Sequence, residues 1–107
     1  MDDITKRLEE TRSFIKSLVP WESQVKVQMG SNKESLVFVK ETMGLGNMGI
    51  LPISTIVLFH LSSRKFYAAD KYHFERGEII FDEDYSSKDV KEVHPSWREE
   101  YFEHTIN

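Results

Sequence analysis

The chain has 107 residues, a net charge of −4 and no cysteine. This length fits one domain with a modest core, and the lack of cysteine excludes disulfide stapling, thiolate chemistry and Cys-ligated metals. Phe, Tyr and Trp make up 12% of the residues, which argues against disorder because these side chains bury large areas.

Two segments bear on the cellular compartment. Met1–Arg7 lacks the basic-then-apolar form of a signal peptide. Ile50–Leu61, the most apolar stretch, is broken by Pro52 and is far shorter than the roughly 20 residues that span a bilayer. We therefore expect a soluble, cytoplasmic protein without a membrane partner.

A helix is predicted at the start of the chain. Asp2 or Asp3 can cap its first turn, and Pro20 ends it because the residue before a proline is pushed out of the helical region. We predict a helix over Asp3–Leu18. Its apolar stripe consists of Ile4, Leu8, Ile15 and Leu18.

An antiparallel hairpin is predicted next. Gln24–Met29 alternates apolar and polar residues, as a half-buried strand does. Gly30–Lys33 is a turn, and Ser35–Thr42 is the return strand. Leu36, Phe38 and Lys40 are expected on one side of that strand.

The longest apolar run predicts the central strand. Ile53–Leu61 does not alternate, which is typical of a strand covered on both faces. Short strands are predicted after it over 65–69, 72–75 and 78–82, separated by polar turns. Asp82–Asp89 is then predicted to be an acidic loop.

A second helix is predicted near the end, because Pro95 is favoured at a first helical position. The fold class is therefore α+β: an N-terminal helix on a curved antiparallel sheet of about five strands, with a short C-terminal helix over one end. The helix-first order resembles cystatin-like architectures, a resemblance that implies the fold alone. The last helix carries an aromatic stripe, Trp97, Tyr101 and Phe102, with Glu99, Glu100 and Glu103 expected to face water.

Two segments resemble ligand-binding motifs in part. Gly44, Gly46 and Gly49 match the spacing of a dinucleotide-binding turn, but no helix follows to hold a pyrophosphate. The acidic loop has Ser87 and Val93 where a calcium loop needs glycine and glutamate. We expect no cofactor and no metal.

Charge is unevenly distributed along the chain. Residues 1–76 hold eleven Lys and Arg against nine Asp and Glu, whereas residues 77–107 hold three against nine. The acidic C-terminal third disfavours phosphate contacts and favours a partner with a basic surface.

The function that these features favour is a small, non-enzymatic protein-binding module, such as an inhibitor, adaptor or regulatory subunit, acting as a homodimer. No catalytic motif is present, and methionine and aromatic side chains are expected in exposed places. The predicted binding surface joins the Met- and Gly-rich loop of residues 43–52 to the acidic C-terminal helix. Its residues are Met43, Leu45, Met48, Trp97, Glu100 and Tyr101.

Two alternatives remain open. Basic and aromatic residues interleave on two strands expected to be adjacent, as in single-strand nucleic-acid platforms, and a pocket around His60 and His73 would suit an enzyme or a small-ligand binder. The lack of a catalytic motif favours the non-enzymatic interpretation over the enzymatic one. The nucleic-acid residues would be Arg64, Lys65, Tyr67, Lys71 and Tyr72.

Overall fold

The computed structural model describes residues 2–42, 55–82 and 85–105. Within them the protein is α+β, with an N-terminal helix, an open sheet of seven strands and a short C-terminal helix. The elements are α1 (Asp2–Lys16), β1 (Gln24–Met29), β2 (Asn32–Thr42), β3 (Thr55–His60), β4 (Lys65–Ala69), β5 (Tyr72–Glu75), β6 (Glu78–Phe81), β7 (Ser86–Asp89), a 3-10 turn (Val90–Glu92) and α2 (Pro95–Thr105).

The sheet has the strand order β5-β6-β1-β2-β3-β4-β7, and every neighbouring pair is antiparallel except β1 and β6. The expected count of about five strands was therefore wrong, as was the expectation that all pairs are antiparallel. One of the additional strands is β7, which lies in the segment where the sequence predicts an acidic loop. Its four residues are all exposed, so it carries no apolar alternation and is ordered by pairing with β4.

Strand β3 lies inside the molecule and is covered on both faces. Ile56 and Leu58 belong to the apolar cluster beneath α1. Val57 and Phe59 belong to a second cluster beneath α2. All four side chains are almost completely buried, which confirms the prediction from the unalternating apolar run.

Helix α1 packs against the first face of the sheet and covers its β5 edge. Ile15 is buried in the first cluster, and the Phe14 ring stacks on Phe74 with centroids 4.1 Å apart. The buried Thr11 hydroxyl donates to the Arg7 carbonyl (2.8 Å) and accepts the Phe74 backbone N–H (3.0 Å). The edge strand of a sheet leaves backbone N–H and C=O groups unpaired. Here the Phe74 N–H of edge strand β5 finds its acceptor on α1.

Trp21, between α1 and β1, places its side chain on the second face of the sheet. Its backbone has φ 64° and its N–H donates to the Phe38 carbonyl (2.7 Å). Its ring lies 5.6 Å from Phe59 and stacks on His104 of α2 at 5.3 Å, measured between centroids. Helix α2 thus forms one wall of the second cluster, and Tyr101 contacts Phe59 at 5.1 Å.

A register shift in β2 sets the direction of Lys40. The pairing with β3 slips between Phe38 and Lys40, as at a β-bulge. Lys40 was expected on the same side as Phe38, but the extra residue turns it toward α2. There its Nζ lies 2.8 Å from Glu100 Oε1 and 5.6 Å from the centroid of the Trp97 ring.

Candidate functional site

The predicted protein-binding residues do not form one exposed surface in the part of the chain that is described. Met43, Leu45 and Met48 lie outside the described residues. Tyr101 is only 8% exposed, so its expected exposure was wrong. Trp97 is half-buried and packs against the second cluster, and Glu100, which was expected to face water, is half-buried in its ion pair with Lys40.

The predicted nucleic-acid surface is divided. Strands β4 and β5 were expected to be adjacent, but they are not hydrogen-bonded neighbours because β5 pairs with β6. Tyr72 is buried in the first cluster and cannot stack on a base. Arg64 and Lys71 are exposed at different places, and Lys65 and Tyr67 are half-buried.

His60 and His73, the two histidines of the predicted ligand pocket, have separate partners. His73 Nδ1 lies 2.6 Å from Asp82 Oδ1, and its Nε2 lies 3.7 Å from Glu75 Oε2. His60 lies on β3 and contacts a different carboxylate, that of Glu34. The structure therefore gives each ring its own acidic partner and does not pair the two across the sheet.

A cleft of about 490 Å³ lies where the turn between β3 and β4 meets the 3-10 turn and α2. This volume is within the usual range for ligand sites. We call it the Arg64 cleft. It is lined by Ser63, Arg64, Asp89, Val90, Lys91, Tyr101 and Phe102.

The Arg64 cleft combines positive charge with exposed aromatic surface. Its charged lining residues are Arg64, Lys91 and Asp89. Phe102 is 47% exposed, and its ring meets Tyr101 edge-on at 5.3 Å. The charge of the lining is therefore net positive, although the chain as a whole is acidic.

The β3–β4 turn holds Arg64 in place. Its backbone has φ 57°, a left-handed conformation that a non-glycine residue adopts at some energetic cost. Its N–H donates to the His60 carbonyl at 2.9 Å, which closes the turn. Strained residues of this kind are enriched at binding sites.

Beside the cleft, the imidazole of His60 contacts both a carboxylate and a serine hydroxyl. His60 Nδ1 lies 2.7 Å from Ser63 Oγ, and its Nε2 lies 3.2 Å from Glu34 Oε1. We call Glu34, His60 and Ser63 the His60 cluster. The imidazole is 17% exposed, and the Tyr67 ring meets it edge-on at 6.4 Å.

These surroundings raise the pKa of the Tyr67 hydroxyl. Burial raises the pKa of its hydroxyl above the ordinary value of 10.0, and the charges of Glu34 and of ionised Tyr85 raise it further. A hydrogen bond with Ser87 lowers the pKa in part. The folded protein therefore favours the neutral phenol.

This shift predicts an alkaline loss of stability. Because the folded-state pKa is raised, the contribution of Tyr67 is fully present below about pH 10 and is lost as pH rises through the folded-state value. We expect the free energy of unfolding to fall less steeply above pH 10 in Tyr67→Phe than in the wild type. Urea unfolding at a series of alkaline pH values measures both slopes, and equal slopes would contradict the assignment.

Sequence reasoning missed most of the residues around the cleft. The spacing of His60 and Ser63 was a local signal, because residues three apart in a tight turn can meet. Glu34 could not be found this way, since it reaches His60 only through the pairing of β2 with β3. Lys91 lies in a 3-10 turn that no pattern predicted.

Within the described residues, no group of three His, Asp or Glu side chains is arranged to hold a metal ion. Among the helices of the same part of the chain, none is long and apolar enough to cross a bilayer. Comparison of the chain with protein-family models, with curated proteins and with solved structures found no match.

Proposed function

We propose that this protein is a small protein-binding module and that the Arg64 cleft receives an extended segment of the partner protein. The observation that carries this proposal is the placement of Phe102 beside Arg64 and Lys91 on one cleft. Aromatic and Arg side chains are enriched at protein interfaces. Phe102 offers apolar area that the protein's own core does not use.

The charge of the cleft selects the partner's chemistry. Two cations against one carboxylate favour a segment with an acidic side chain. The exposed Phe102 ring favours an apolar side chain next to it. The proposed occupant is therefore a partner segment that carries Asp or Glu beside Phe or Leu.

The basic partner expected from the acidic C-terminal third is a separate prediction. In the structure the carboxylate of Glu100 is already paired with Lys40, so α2 has fewer unpaired acids than its sequence suggests. Glu99 and Glu103 remain exposed. The two cations of the Arg64 cleft therefore support an acidic partner segment more strongly than α2 supports a basic partner.

An array of ten-residue peptides tests the proposal. Each peptide carries Glu or Asp next to Phe or Leu, and each has a matched copy in which Gln or Asn replaces the acid. We expect the acidic peptides to bind and the matched copies to bind more weakly. Phe102→Ser should weaken binding by at least about tenfold, as the loss of an interface anchor does.

Matched substitutions outside the cleft serve as controls. Val19 is 45% exposed, close to the exposure of Phe102, so Val19→Ser should leave binding unchanged. Arg64→Gln should weaken the acidic peptides alone, whereas Arg12→Gln on α1 should not. Binding that is equal for acidic and amide peptides, or insensitive to Phe102→Ser, would remove the cleft from the interface.

A further inference from the structure

We propose that the His60 cluster is a catalytic site for acyl transfer, with Ser63 as nucleophile, His60 as general base and Glu34 as positioning residue. The substrate class is a small carboxylic ester. This activity goes beyond the proposed binding function and does not depend on it. The geometry that carries it is the continuous chain of contacts from the Ser63 hydroxyl through the imidazole to the Glu34 carboxylate.

The partners of His60 fix which of its nitrogens carries the proton. A neutral imidazole has one N–H donor and one acceptor nitrogen, and an ionised carboxylate only accepts. The proton therefore lies on Nε2, which donates to Glu34 at 3.2 Å and has the Ser62 hydroxyl oxygen at a longer 3.4 Å. Nδ1 is left to accept the Ser63 hydroxyl at 2.7 Å, the arrangement that a serine nucleophile needs.

Access and charge agree with this role. Ser63 is exposed and lines the Arg64 cleft, so a substrate in the cleft can reach it, while His60 is largely shielded from water. Arg64 and Lys91 line the same cleft. Their positive charge favours the oxyanion that forms when a serine attacks an ester carbonyl.

The reaction needs only water as co-substrate. A bond forms between Ser63 Oγ and the acyl carbon while the hydroxyl proton moves to His60 Nδ1. The ester C–O bond then breaks, and the leaving alkoxide takes that proton as the alcohol departs. Water, deprotonated in turn by His60, attacks the acyl-enzyme. The bond between the acyl carbon and Ser63 Oγ then breaks, and His60 returns the proton to Ser63 Oγ as the acid departs.

A fluorophosphonate probe tests the proposal directly, because its phosphorus forms a stable bond with an activated serine oxygen as fluoride leaves. We expect one adduct, mapped to Ser63 by peptide mass spectrometry, and hydrolysis of 4-nitrophenyl acetate that the probe abolishes. Ser63→Ala should remove the adduct. Ser31→Ala, at an exposed serine in the turn between β1 and β2, is the matched control and should be labelled at the wild-type rate.

Variants of the other two residues separate catalysis from a merely structural role. His60→Gln should slow labelling by about 10²–10⁴-fold, the usual contribution of a general base. Glu34→Gln should slow it less and lower kcat with KM unchanged, and Glu34→Asp should restore part of the rate. Circular dichroism reports whether each variant is folded. If His60→Gln does not fold, the comparison of Glu34→Gln with Glu34→Asp decides whether the His60 cluster is catalytic.

Three outcomes would overturn the assignment. The first is the absence of an adduct at Ser63 in the folded protein. The second is labelling that survives unfolding in urea, because such reactivity would not depend on the His60 cluster. The third is an equal labelling rate in folded His60→Gln or in Glu34→Gln.

Discussion

Phe59→Ala is expected to lower the free energy of unfolding by about 3–5 kcal/mol, the usual cost of truncating a buried Phe. Phe59 is 1% exposed and is the centre of the second cluster. Its ring contacts Trp21, Phe66 and Tyr101, with centroids 5.6, 4.9 and 5.1 Å away. The substitution therefore leaves a cavity between β3 and α2. Urea unfolding followed by circular dichroism measures the loss.

The matched control lies two positions further along the chain. Leu61 directly follows β3 and is 58% exposed, so Leu61→Ala should change the free energy of unfolding by less than about 0.5 kcal/mol. A cost for Phe59→Ala as small as that of Leu61→Ala would contradict the burial of β3 beneath α2.

Thr11→Val is expected to cost about 1–3 kcal/mol, although it keeps the shape of the side chain and its branching. The Thr11 hydroxyl accepts the Phe74 N–H on the β5 edge of the sheet. Removing it leaves a backbone donor without its partner beneath α1, and an unsatisfied buried donor carries that penalty. The same unfolding experiment measures the change.

The conservative variant separates the hydrogen bond from packing. Thr11→Ser keeps the hydroxyl and loses one methyl group, so it should retain most of the stability that Thr11→Val loses. Hydrogen exchange at the Phe74 amide provides a second measurement, with faster exchange expected in Thr11→Val alone. Equal losses in the two variants would assign the role of Thr11 to its methyl group.

The parts of the fold that local patterns determine were predictable. Pro20 limited the first helix, which ends at Lys16, two residues earlier than predicted. The alternation in Gln24–Met29 predicted β1 with the observed bounds. The unalternating run around Ile56 predicted a strand buried on both faces, because no surface strand tolerates that many consecutive apolar residues.

The parts that depend on distant pairing were not predictable. Ser86–Asp89 becomes strand β7 only because β4 offers it an edge. β6 lies parallel to β1, although about fifty residues separate them along the chain. The bulge after Phe38 reverses the side on which Lys40 lies, and no residue at that position signals it.

The candidate site shows the same division. Aromatic spacing in α2 identified Tyr101 and Phe102, but which of them faces the core depends on how the helix packs against Phe59. The structure buries Tyr101 and exposes Phe102. Helical periodicity places residues around the helix axis. It does not tell which of two neighbouring aromatic residues the sheet will cover.

Amide hydrogen exchange across Thr55–His60 tests the interior position of β3 most directly. This strand pairs with β2 on one side and β4 on the other, and both of its faces are buried. We expect its amides to be among the most protected and to exchange only through global unfolding. Exchange of these amides as fast as those of the exposed edge strand β7 would contradict the fold and, with it, the positions of the Arg64 cleft and the His60 cluster.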